Sequence, residues 1–586
     1  MVDSINSRGI IMVRRILNRI IALLLVTTIS MGNLASANAS TGITDNENLD
    51  IVGIEEENKI TSSLYEEFLN VIGDEKLPVM VWFEDIDHTG IDEIGAESIG
   101  MSLKEFNEAI DEDALPLEVI QDYIEAKRQE STCRYAEHNS NYCEAYFDSE
   151  DIIYISKYSP IILVYLSLEE AENLSSEHSV MRMDLYREND TVQISIANNV
   201  TRASNAYSTY GYTGSGVKIG VFELNLPNTS SSVFSSLNIV STNGTVGTYS
   251  DHANSVLEIV ASIAPNGQYY LSDNSAQSNF ESIEWMLGKG VNVINCSRTV
   301  TGDGLNNYGS VSLWLDHLTY YHDVHFVISS GNNGEDGVIS GGMAYNVITV
   351  GNINDNRTLS YSDDTLRSTS SYYKYNTWAK KPDLCAPGTG LTTSFSSSFT
   401  GTSASAPQVT GTVAIICQQK PALLVKQSVM KSLLAASVNF TSTLRYVPSN
   451  TNYKKYGAGL LDSLGASWVA AHARYLSSSI STSTSSKSHY FTVTSSDTRI
   501  RVALSIIKHS SFSSSSGHET GTPISVGLSD LDLKVYAPGS STPIQTSATN
   551  NSVEIVDFVP TVTGTYRIEV INTSSAETTY YALAWR

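Results

Sequence analysis

A serine near the start of a predicted helix is the clearest chemical feature of this sequence. The string Phe399-Thr-Gly-Thr-Ser-Ala-Ser-Ala-Pro-Gln-Val-Thr-Gly411 places Ser403 in the first turn of an apolar helix that continues through Ile416. At a helix N-terminus, the unpaired backbone amides and the positive end of the dipole stabilise negative charge that develops nearby. A free serine hydroxyl is nonetheless a poor nucleophile at neutral pH and needs a base. Ser403 is therefore either a nucleophile with partners elsewhere in the chain or merely a helix cap.

Histidine, amide and carboxylate side chains in three earlier segments match the partners that such a serine needs. His252 lies in the string Asp-His-Ala-Asn-Ser-Val, and Asn332 lies in Ser-Gly-Asn-Asn-Gly directly after a predicted strand. Glu223 follows the predicted strand Val217–Phe222 and is the only acidic residue between positions 191 and 250. Each has a simpler interpretation when taken alone: a surface histidine, a turn-forming asparagine and a solvated glutamate. Their joint occurrence favours catalysis.

These segments resemble the subtilases, the subtilisin-like serine proteases. The Gly-Thr-Ser-Ala-Ser-Ala-Pro string is similar to that family's nucleophile motif, and the chain order of carboxylate, histidine and serine is also the family's. The resemblance covers about residues 205–470. It implies acyl transfer in which Ser403 is the nucleophile, His252 is the general base and Glu223 orients the histidine. It also implies that Asn332 donates a hydrogen bond in the oxyanion hole.

The carboxylate segment departs from the family pattern. Where the family has Asp followed by Ser-Gly or Thr-Gly, this sequence has Glu223-Leu-Asn. A glutamate can accept the histidine's hydrogen bond if the backbone accommodates one additional methylene. The predicted triad is therefore Ser-His-Glu. The alternative is a catalytically weak or inactive homologue that binds polypeptides in the same groove.

The resemblance also implies a substrate groove beside the nucleophile. Ser297, Arg298 and Thr299 would form the wall on which a substrate pairs as an added strand. Ser330 and Gly331 would form the opposite wall. Arg298 stands where the family usually has an apolar residue, which leaves the side-chain preference open.

The function implied by these motifs is that of a secreted serine endopeptidase made as a zymogen. Its partners would be polypeptide substrates and its own propeptide, which resembles the family's intramolecular chaperone and inhibitor over about residues 76–190. Removal is expected between about residues 188 and 205, and a permanently attached acidic domain is the alternative. The triad chemistry requires no metal or organic cofactor. Asp530 and Asp532 on a predicted C-terminal strand leave room for structural calcium, although alternating polar residues on a strand are more often simply solvated.

Hydrophobic patterning divides the chain into regions of different fold class. Between about residues 205 and 470, short apolar strands alternate with helical patterns, which indicates an α/β fold with a mostly parallel sheet covered by helices on both faces. A small α+β propeptide precedes it, and an all-β sandwich that we expect to be dispensable for peptide hydrolysis follows. The predicted domains are a signal peptide (1–39), an acidic propeptide (40–190), a subtilisin-like catalytic domain (191–475), a Ser/Thr-rich linker (476–488) and the β-sandwich (489–586).

The charge of the chain is concentrated in one block. The 586 residues carry a formal net charge of −26, and residues 41–190 hold 37 acidic against 9 basic side chains. An acidic chain repels phosphate backbones, so nucleic acid is not an expected partner. If the block is removed, the remaining protein is close to neutral, and the exclusion of nucleic acid then depends on the protease motifs.

The N-terminus has the three parts of a secretory signal peptide. Arg14, Arg15 and Arg19 precede the apolar run Ile20–Val26, and the small residues of Ala-Ser-Ala-Asn-Ala follow and end at Ala39. The run is too short to span a bilayer comfortably, so an uncleaved anchor is the less favoured interpretation. We expect cleavage near this point and an extracellular protein without a stable membrane anchor.

Five cysteines are few for an exported chain of this length. Cys133 and Cys143 are close enough in sequence to pair, and no cysteine spacing indicates a zinc site. The other three lie in apolar segments and are expected to be buried small hydrophobic residues: Cys296, Cys385 and Cys417.

Overall fold

The computed structural model describes most of the chain after residue 75. The described residues are 59–61, 64–65, 68, 76–185, 198–244, 249–273, 278–373, 380–446, 453–495, 497–509, 529–574 and 578–586. They belong to one compact unit that spans residues 57–586. The predicted signal peptide and residues 188–197 of the predicted processing region lie outside the described residues. Within the described ranges, no helix has the length and apolar character needed to cross a membrane.

Residues 76–185 form a small α+β unit. Its strands are β1 (Leu77–Phe83), β2 (Ile152–Ile155), β3 (Ile161–Leu166) and β4 (Val180–Leu185). They form an antiparallel sheet in the order β2-β3-β1-β4. The accompanying helices are α1 (Ile91–Ser98), α2 (Leu103–Asp111), α3 (Leu117–Tyr146) and α4 (Leu168–Ser175). Capping boxes at Ser102 and Ser167 begin α2 and α4, because each serine hydroxyl satisfies a backbone amide of the first turn.

Both cysteines of this N-terminal unit lie on α3. Ten residues separate Cys133 from Cys143 on this helix, which corresponds to roughly 15 Å along the helix axis. A disulfide requires Cα atoms within about 7 Å of each other. The predicted pairing is therefore wrong, and both thiols are free. The three later cysteines are free and buried, as expected.

The central sheet confirms the α/β fold class. Its strands are β5 (Lys218–Glu223), β6 (Asn238–Asn243), β7 (Gln268–Asp273), β8 (Val293–Cys296), β9 (His325–Ser329), β10 (Ile348–Asn354), β11 (Thr365–Leu366) and β12 (Leu384–Pro387). The order is β11-β10-β9-β8-β5-β7-β6, with β12 also paired to β10. Only the pair of β10 with β11 is antiparallel. A short hairpin of β13 (Leu391–Thr393) and β14 (Ser396–Phe399) follows.

Helices cover this sheet on both faces. They are α5 (Ala203–Tyr210), α6 (Asp251–Ile263), α7 (Asn279–Gly288), α8 (Ser310–Tyr321), α9 (Thr402–Gln419), α10 (Gln427–Ser437), α11 (Tyr453–Tyr456) and α12 (Ser463–Ala471). Val221 of β5 shares a core with α6 and α9, whereas its neighbour Phe222 shares a second core with α7 and α8. Because side chains alternate along a strand, β5 contributes to both cores. The carboxyl ends of β5, β8 and β9 meet at one sheet edge, which is where such sheets place their sites.

The C-terminal region is an all-β sandwich, as predicted. Its strands are β15 (Tyr475–Ile480), β16 (Ser486–Val493), β17 (Ile500–Ile506), β18 (Asp530–Tyr536), β19 (Gln545–Ser547), β20 (Val553–Phe558), β21 (Gly564–Ser574) and β22 (Thr579–Trp585). They form two antiparallel sheets in the orders β15-β22-β17-β20 and β16-β21-β18-β19. The two sheets enclose an apolar core that includes Val502, Leu533 and Tyr566.

The segment 476–488 differs from the predicted linker. Strand β15 pairs along its whole length with β22, and β16 pairs with β21 from Ser486 onward. Residues 481–485 alone connect the two strands. These serine-rich strands are held by backbone hydrogen bonds, so their composition could not distinguish them from a flexible connection.

The sandwich is continuous with the α/β region. Arg501 is fully buried and donates to the Asp557 carboxylate at 2.6 and 2.8 Å. Its guanidinium also donates to the carbonyl of Ala458 at 2.8 Å and to that of Tyr446 at 3.0 Å. Ala582 on β22 belongs to the same core as α6 and α9. This continuity argues against the expectation that the sandwich is dispensable.

Candidate active site

Glu223 and His252 form a direct pair at the carboxyl edge of the sheet. The Glu223 Oε2 lies 2.7 Å from the His252 Nδ1, and the glutamate is only 1% exposed. Glu223 is the last residue of β5, and His252 is the second residue of α6. A carboxylate in contact with Nδ1 favours the tautomer that carries its proton on Nδ1 and leaves Nε2 free to accept one. The additional methylene of the glutamate is therefore accommodated.

Local contacts fix the start of α6 and hence the position of His252. The Ser250 hydroxyl accepts a hydrogen bond from the Ala253 amide at 3.0 Å and caps the helix. Asn254 accepts a hydrogen bond from the Asn228 amide at 2.6 Å, which ties the loop after β5 to the helix. The Phe399 ring meets the His252 ring edge-on, with centroids 5.6 Å apart. The imidazole is thus held by the carboxylate, its helix and an aromatic ring.

Ser403 lies in the first turn of α9 and is 1% exposed. Its carbonyl accepts a hydrogen bond from the Ser297 hydroxyl at 2.9 Å. Neither the Ser403 Oγ nor the His252 Nε2 has a hydrogen-bond partner within the described part of the chain. Both atoms therefore remain available for each other or for a substrate, and catalytic hydrogen bonds are often long in unliganded enzymes.

Asn332 is oriented by the residue that precedes the serine. Its Oδ1 accepts a hydrogen bond from the Thr402 amide at 3.0 Å. The Thr402 hydroxyl lies 3.4 Å from the same oxygen and accepts a hydrogen bond from the Gly331 amide at 3.1 Å. With its oxygen engaged in this way, the Asn332 side chain keeps its amino group as a donor. A donor beside the N-terminus of α9 suits an oxyanion.

Both predicted groove walls contact the first turn of α9, since the Ser297 hydroxyl donates to the Ser403 carbonyl and the Gly331 amide donates to the Thr402 hydroxyl. Ser297 contacts the Ser403 carbonyl directly, and Arg298 and Thr299 follow it. In the second predicted wall, the Ser330 carbonyl accepts from the Ile339 amide at 3.0 Å, and the Gly331 carbonyl accepts from the Ser371 amide at 2.9 Å. The second wall is thus fastened to neighbouring loops through its own carbonyls.

Several supporting residues were missed by the sequence analysis. Asn295 donates to the Ser297 hydroxyl at 2.9 Å and accepts from the Thr410 hydroxyl of α9 at the same distance. Thr402 and Phe399 lie in the serine string 399–411, but their residue types alone do not indicate a supporting role. Their position next to Ser403 was the available signal, whereas Asn295 is brought to α9 by the fold alone.

Burial and the nearby carboxylate of Glu223 affect the ionisation of a cysteine at the end of β8. Burial raises the pKa of the Cys296 thiol, and the charge of Glu223 raises it further. This thiol is therefore protonated and inert at neutral pH. Among the described residues, no group of three or more His, Cys, Asp or Glu side chains is placed to hold a metal ion. Burial and the neighbouring Asp532 raise the pKa of Asp530, and calcium binding there stays a prediction.

Comparison with known proteins identifies relatives for the region around the site. Residues 236–465 match the model of the subtilase family. The serine protease AprX of Bacillus subtilis (strain 168) is 31% identical over 150 residues, which cover 20% of this chain and 34% of the relative. The minor extracellular protease Epr of the same organism is 24% identical over 234 residues, which cover 36% of this chain and 34% of the relative. The chain thus spans about a third of the length of these curated relatives.

Two solved structures are also similar. The prenylagaramide maturation protease PagA has 19% sequence identity and a TM-score of 0.36, and the match covers 45% of this chain and 97% of that one. The patellamide maturation protease PatA has 19% identity and a TM-score of 0.35, and the match covers 44% of this chain and 98% of that one.

Proposed function

We propose that this chain is a serine endopeptidase that uses a Ser-His-Glu triad, a proposal supported by the match of residues 236–465 to the model of the subtilase family. The observation that carries the proposal is the 2.7 Å contact between Glu223 and His252. His252 lies on α6, which packs against α9, and Ser403 lies in the first turn of α9. The serine protease name of the relative AprX supports the same activity.

In the proposed mechanism, the Ser403 Oγ attacks the carbonyl carbon of the scissile peptide bond. His252 Nε2 takes the hydroxyl proton as the new C–O bond forms, and it returns this proton to the leaving nitrogen as the C–N bond breaks. Water then attacks the acyl-enzyme, again with His252 as base, which releases the carboxylic acid product and restores the serine. Glu223 accepts the hydrogen bond from His252 Nδ1 throughout and stabilises the imidazolium.

Two donors would stabilise the oxyanion of the tetrahedral intermediates. They are the side-chain amide of Asn332 and the backbone amide of Ser403. In subtilisin, loss of such a side-chain donor costs about 2.7 to 4 kcal/mol in the transition state. Thr402 would act as a positioning residue, since it engages the Asn332 oxygen at 3.0 Å.

The docking of the N-terminal unit supports a zymogen in which residues 40–190 act as propeptide. Arg128 of α3 is 3% exposed and donates to the His322 carbonyl at 2.6 and 2.8 Å and to the Val291 carbonyl at 2.9 Å. On α7, Glu284 accepts three hydrogen bonds from the unit, namely from the Tyr154 hydroxyl, the Ser156 hydroxyl and the Lys157 amide. Such extensive burial would let the unit template folding of the catalytic domain, and its chain end leads into the predicted processing region.

Secretion is part of the proposal. The sequence features of residues 1–39 match a signal peptide, and the relative Epr is named as an extracellular protease. Loss of the acidic block would leave a nearly neutral enzyme outside the cell. The mass and isoelectric point of the secreted protein test this, and a value still near 4.8, that of the full sequence, would show that the block stays attached.

The experiment that tests the activity combines labelling with hydrolysis. The secreted protein is treated with a fluorophosphonate and assayed for casein cleavage, beside a Ser403→Ala variant and a Ser405→Ala variant. Ser405 lies two residues further along α9 and donates to the Ala386 carbonyl at 2.9 Å, so it is a matched control. We expect labelling and cleavage in all samples except Ser403→Ala. Absence of both from the processed wild-type protein would instead identify an inactive homologue.

A further inference from the structure

Pro407 leaves the carbonyl of Ser403 without its helical hydrogen-bond donor. In an α-helix, each carbonyl accepts a hydrogen bond from the backbone amide four residues further along. The residue four positions after Ser403 in α9 is Pro407, which has no amide hydrogen and whose ring crowds that same carbonyl. Because Ser403 is buried, its carbonyl needs a donor from outside this turn of the helix.

Ser297 supplies this donor, and Asn295 fixes the direction of its hydroxyl. The Ser297 Oγ lies 2.9 Å from the Ser403 carbonyl oxygen and 2.9 Å from the Asn295 Nδ2. A carbonyl oxygen can only accept, so the single hydroxyl proton of Ser297 points at Ser403. The Ser297 oxygen therefore accepts from the amino group of Asn295, and the amide oxygen of Asn295 is left to accept from another donor.

Thr410, two turns further along α9, is that donor. Its hydroxyl oxygen lies 2.9 Å from the Asn295 Oδ1 and 3.1 Å from the carbonyl oxygen of Ala406, and both of these oxygens are acceptors. The three side chains of Thr410, Asn295 and Ser297 thus form a positioning network whose hydrogen bonds all run in one direction, toward the Ser403 carbonyl. Each of the three residues is at most 1% exposed, so water does not compete for these bonds.

We propose that Asn295 and Thr410 are positioning residues that hold Ser403 in its reactive place through the Ser297 hydroxyl. This inference rests on the proposed endopeptidase function and adds two residues that belong to neither predicted groove wall. The positioning network joins the carboxyl end of β8 to α9 and replaces the helical hydrogen bond that Pro407 removes. Loss of one member leaves a buried polar group of the next member unpaired, and the first turn of α9 can then shift.

The test removes one hydrogen-bonding group at a time and keeps the shape of the side chain. Thr410→Val lacks the hydroxyl, Asn295→Leu lacks the amide, and Thr410→Ser keeps the hydroxyl. We expect Thr410→Val and Asn295→Leu to lower kcat on a fluorogenic peptide by about 10- to 100-fold with little change in KM, since a misplacement of about 1 Å can cost about 100-fold in rate. Thr410→Ser should keep a kcat within a few-fold of wild type, because the conservative variant restores the donor.

Thr412→Val is the matched control. Thr412 lies on the same helix and is equally buried, but its hydroxyl contacts the Gln408 carbonyl at 2.9 Å and the Ser463 hydroxyl at 2.7 Å instead of Asn295. Its kcat should stay close to that of wild type although it also loses a buried hydroxyl. In every sample, fluorophosphonate labelling to completion counts the reactive serines. Expressing kcat per labelled site keeps a partly unfolded variant from being mistaken for a slow one.

The outcomes separate this inference from the proposed function. A wild-type kcat per labelled site in Thr410→Val and Asn295→Leu overturns the inference and leaves the endopeptidase function standing; should one of the two not fold, the other decides. An equal loss of kcat in Thr412→Val also overturns it, because any gap in the core would then have the same effect. A wild-type protein that is neither labelled nor able to cleave the peptide would overturn the function itself.

Discussion

The replacement of the usual aspartate by Glu223 leads to a sharp prediction about catalysis. In Glu223→Gln, the amide cannot hold His252 in the tautomer that leaves Nε2 as the base. In a serine triad this change lowers kcat by about 10⁴-fold. The fold should survive, since the amide has the same shape as the carboxylate.

Glu223→Asp tests the geometry rather than the charge. The shorter side chain withdraws the carboxylate by about 1.5 Å, the length of one C–C bond, from a contact that is now 2.7 Å. A misplacement of about 1 Å can cost about 100-fold in rate, so we expect Glu223→Asp to be about 100-fold slower than wild type although aspartate is the family's usual residue. This β5 backbone is set for a glutamate.

The assay measures kcat and kcat/KM on a fluorogenic peptide, with circular dichroism to verify the fold. Glu258→Gln is the control, because Glu258 lies on α6 with His252 but bonds to Ser394 instead of the histidine. Its rate should stay within a few-fold of wild type. A Glu223→Gln enzyme that keeps more than a tenth of wild-type kcat would refute the orienting role. A Glu223→Asp enzyme as fast as wild type would refute the geometric argument.

Three further predictions concern the oxyanion donor, the buried Glu284 and the sandwich. Asn332→Ala should lower kcat about 10²- to 10³-fold with little change in KM, as measured by steady-state kinetics. A rise in KM with kcat unchanged would instead mean that Asn332 binds the substrate and the transition state equally. Burial raises the pKa of Glu284 from 4.5 to about 7. Between these two pH values the folded precursor keeps a proton that the unfolded chain releases. The free energy of unfolding should therefore fall by up to about 3 kcal/mol as the pH rises from 4.5 to 7. Thermal unfolding of the Ser403→Ala precursor should show this decline, and Glu284→Gln should flatten it; an identical slope in both contradicts the assignment. Removal of residues 488–586 uncovers α10, because this helix packs on β17 and β22. Fluorophosphonate labelling should therefore be lost. Full labelling of the truncated protein would show that the sandwich is dispensable.

The sequence predicted the fold class, and it named the residues of the candidate site, because both leave local signals. Apolar runs that alternate with helical periodicity indicated the parallel sheet, and the strands and helices around Ser403 lie where this pattern placed them. The errors have physical reasons. Cys133 and Cys143 do not pair, because one continuous helix holds the two residues apart. The segment predicted as a linker instead forms parts of β15 and β16, because backbone pairing with distant strands stabilises both.

The sequence by itself supplies the residue types that acyl transfer needs, namely the carboxylate of Glu223, the base His252 and the nucleophile Ser403. These three types are required whatever the fold. Their geometry depends on contacts between segments far apart in the chain. Parallel pairing of β5 with its neighbours places Glu223 2.7 Å from His252, and Thr402 turns the Asn332 amide through a contact across 70 residues. The buried arginines Arg128 and Arg501 likewise join the flanking units to the α/β region through backbone carbonyls, which have no sequence signature. A carbonyl acceptor is present at every residue, so only the packing of the chain selects which one a side chain meets.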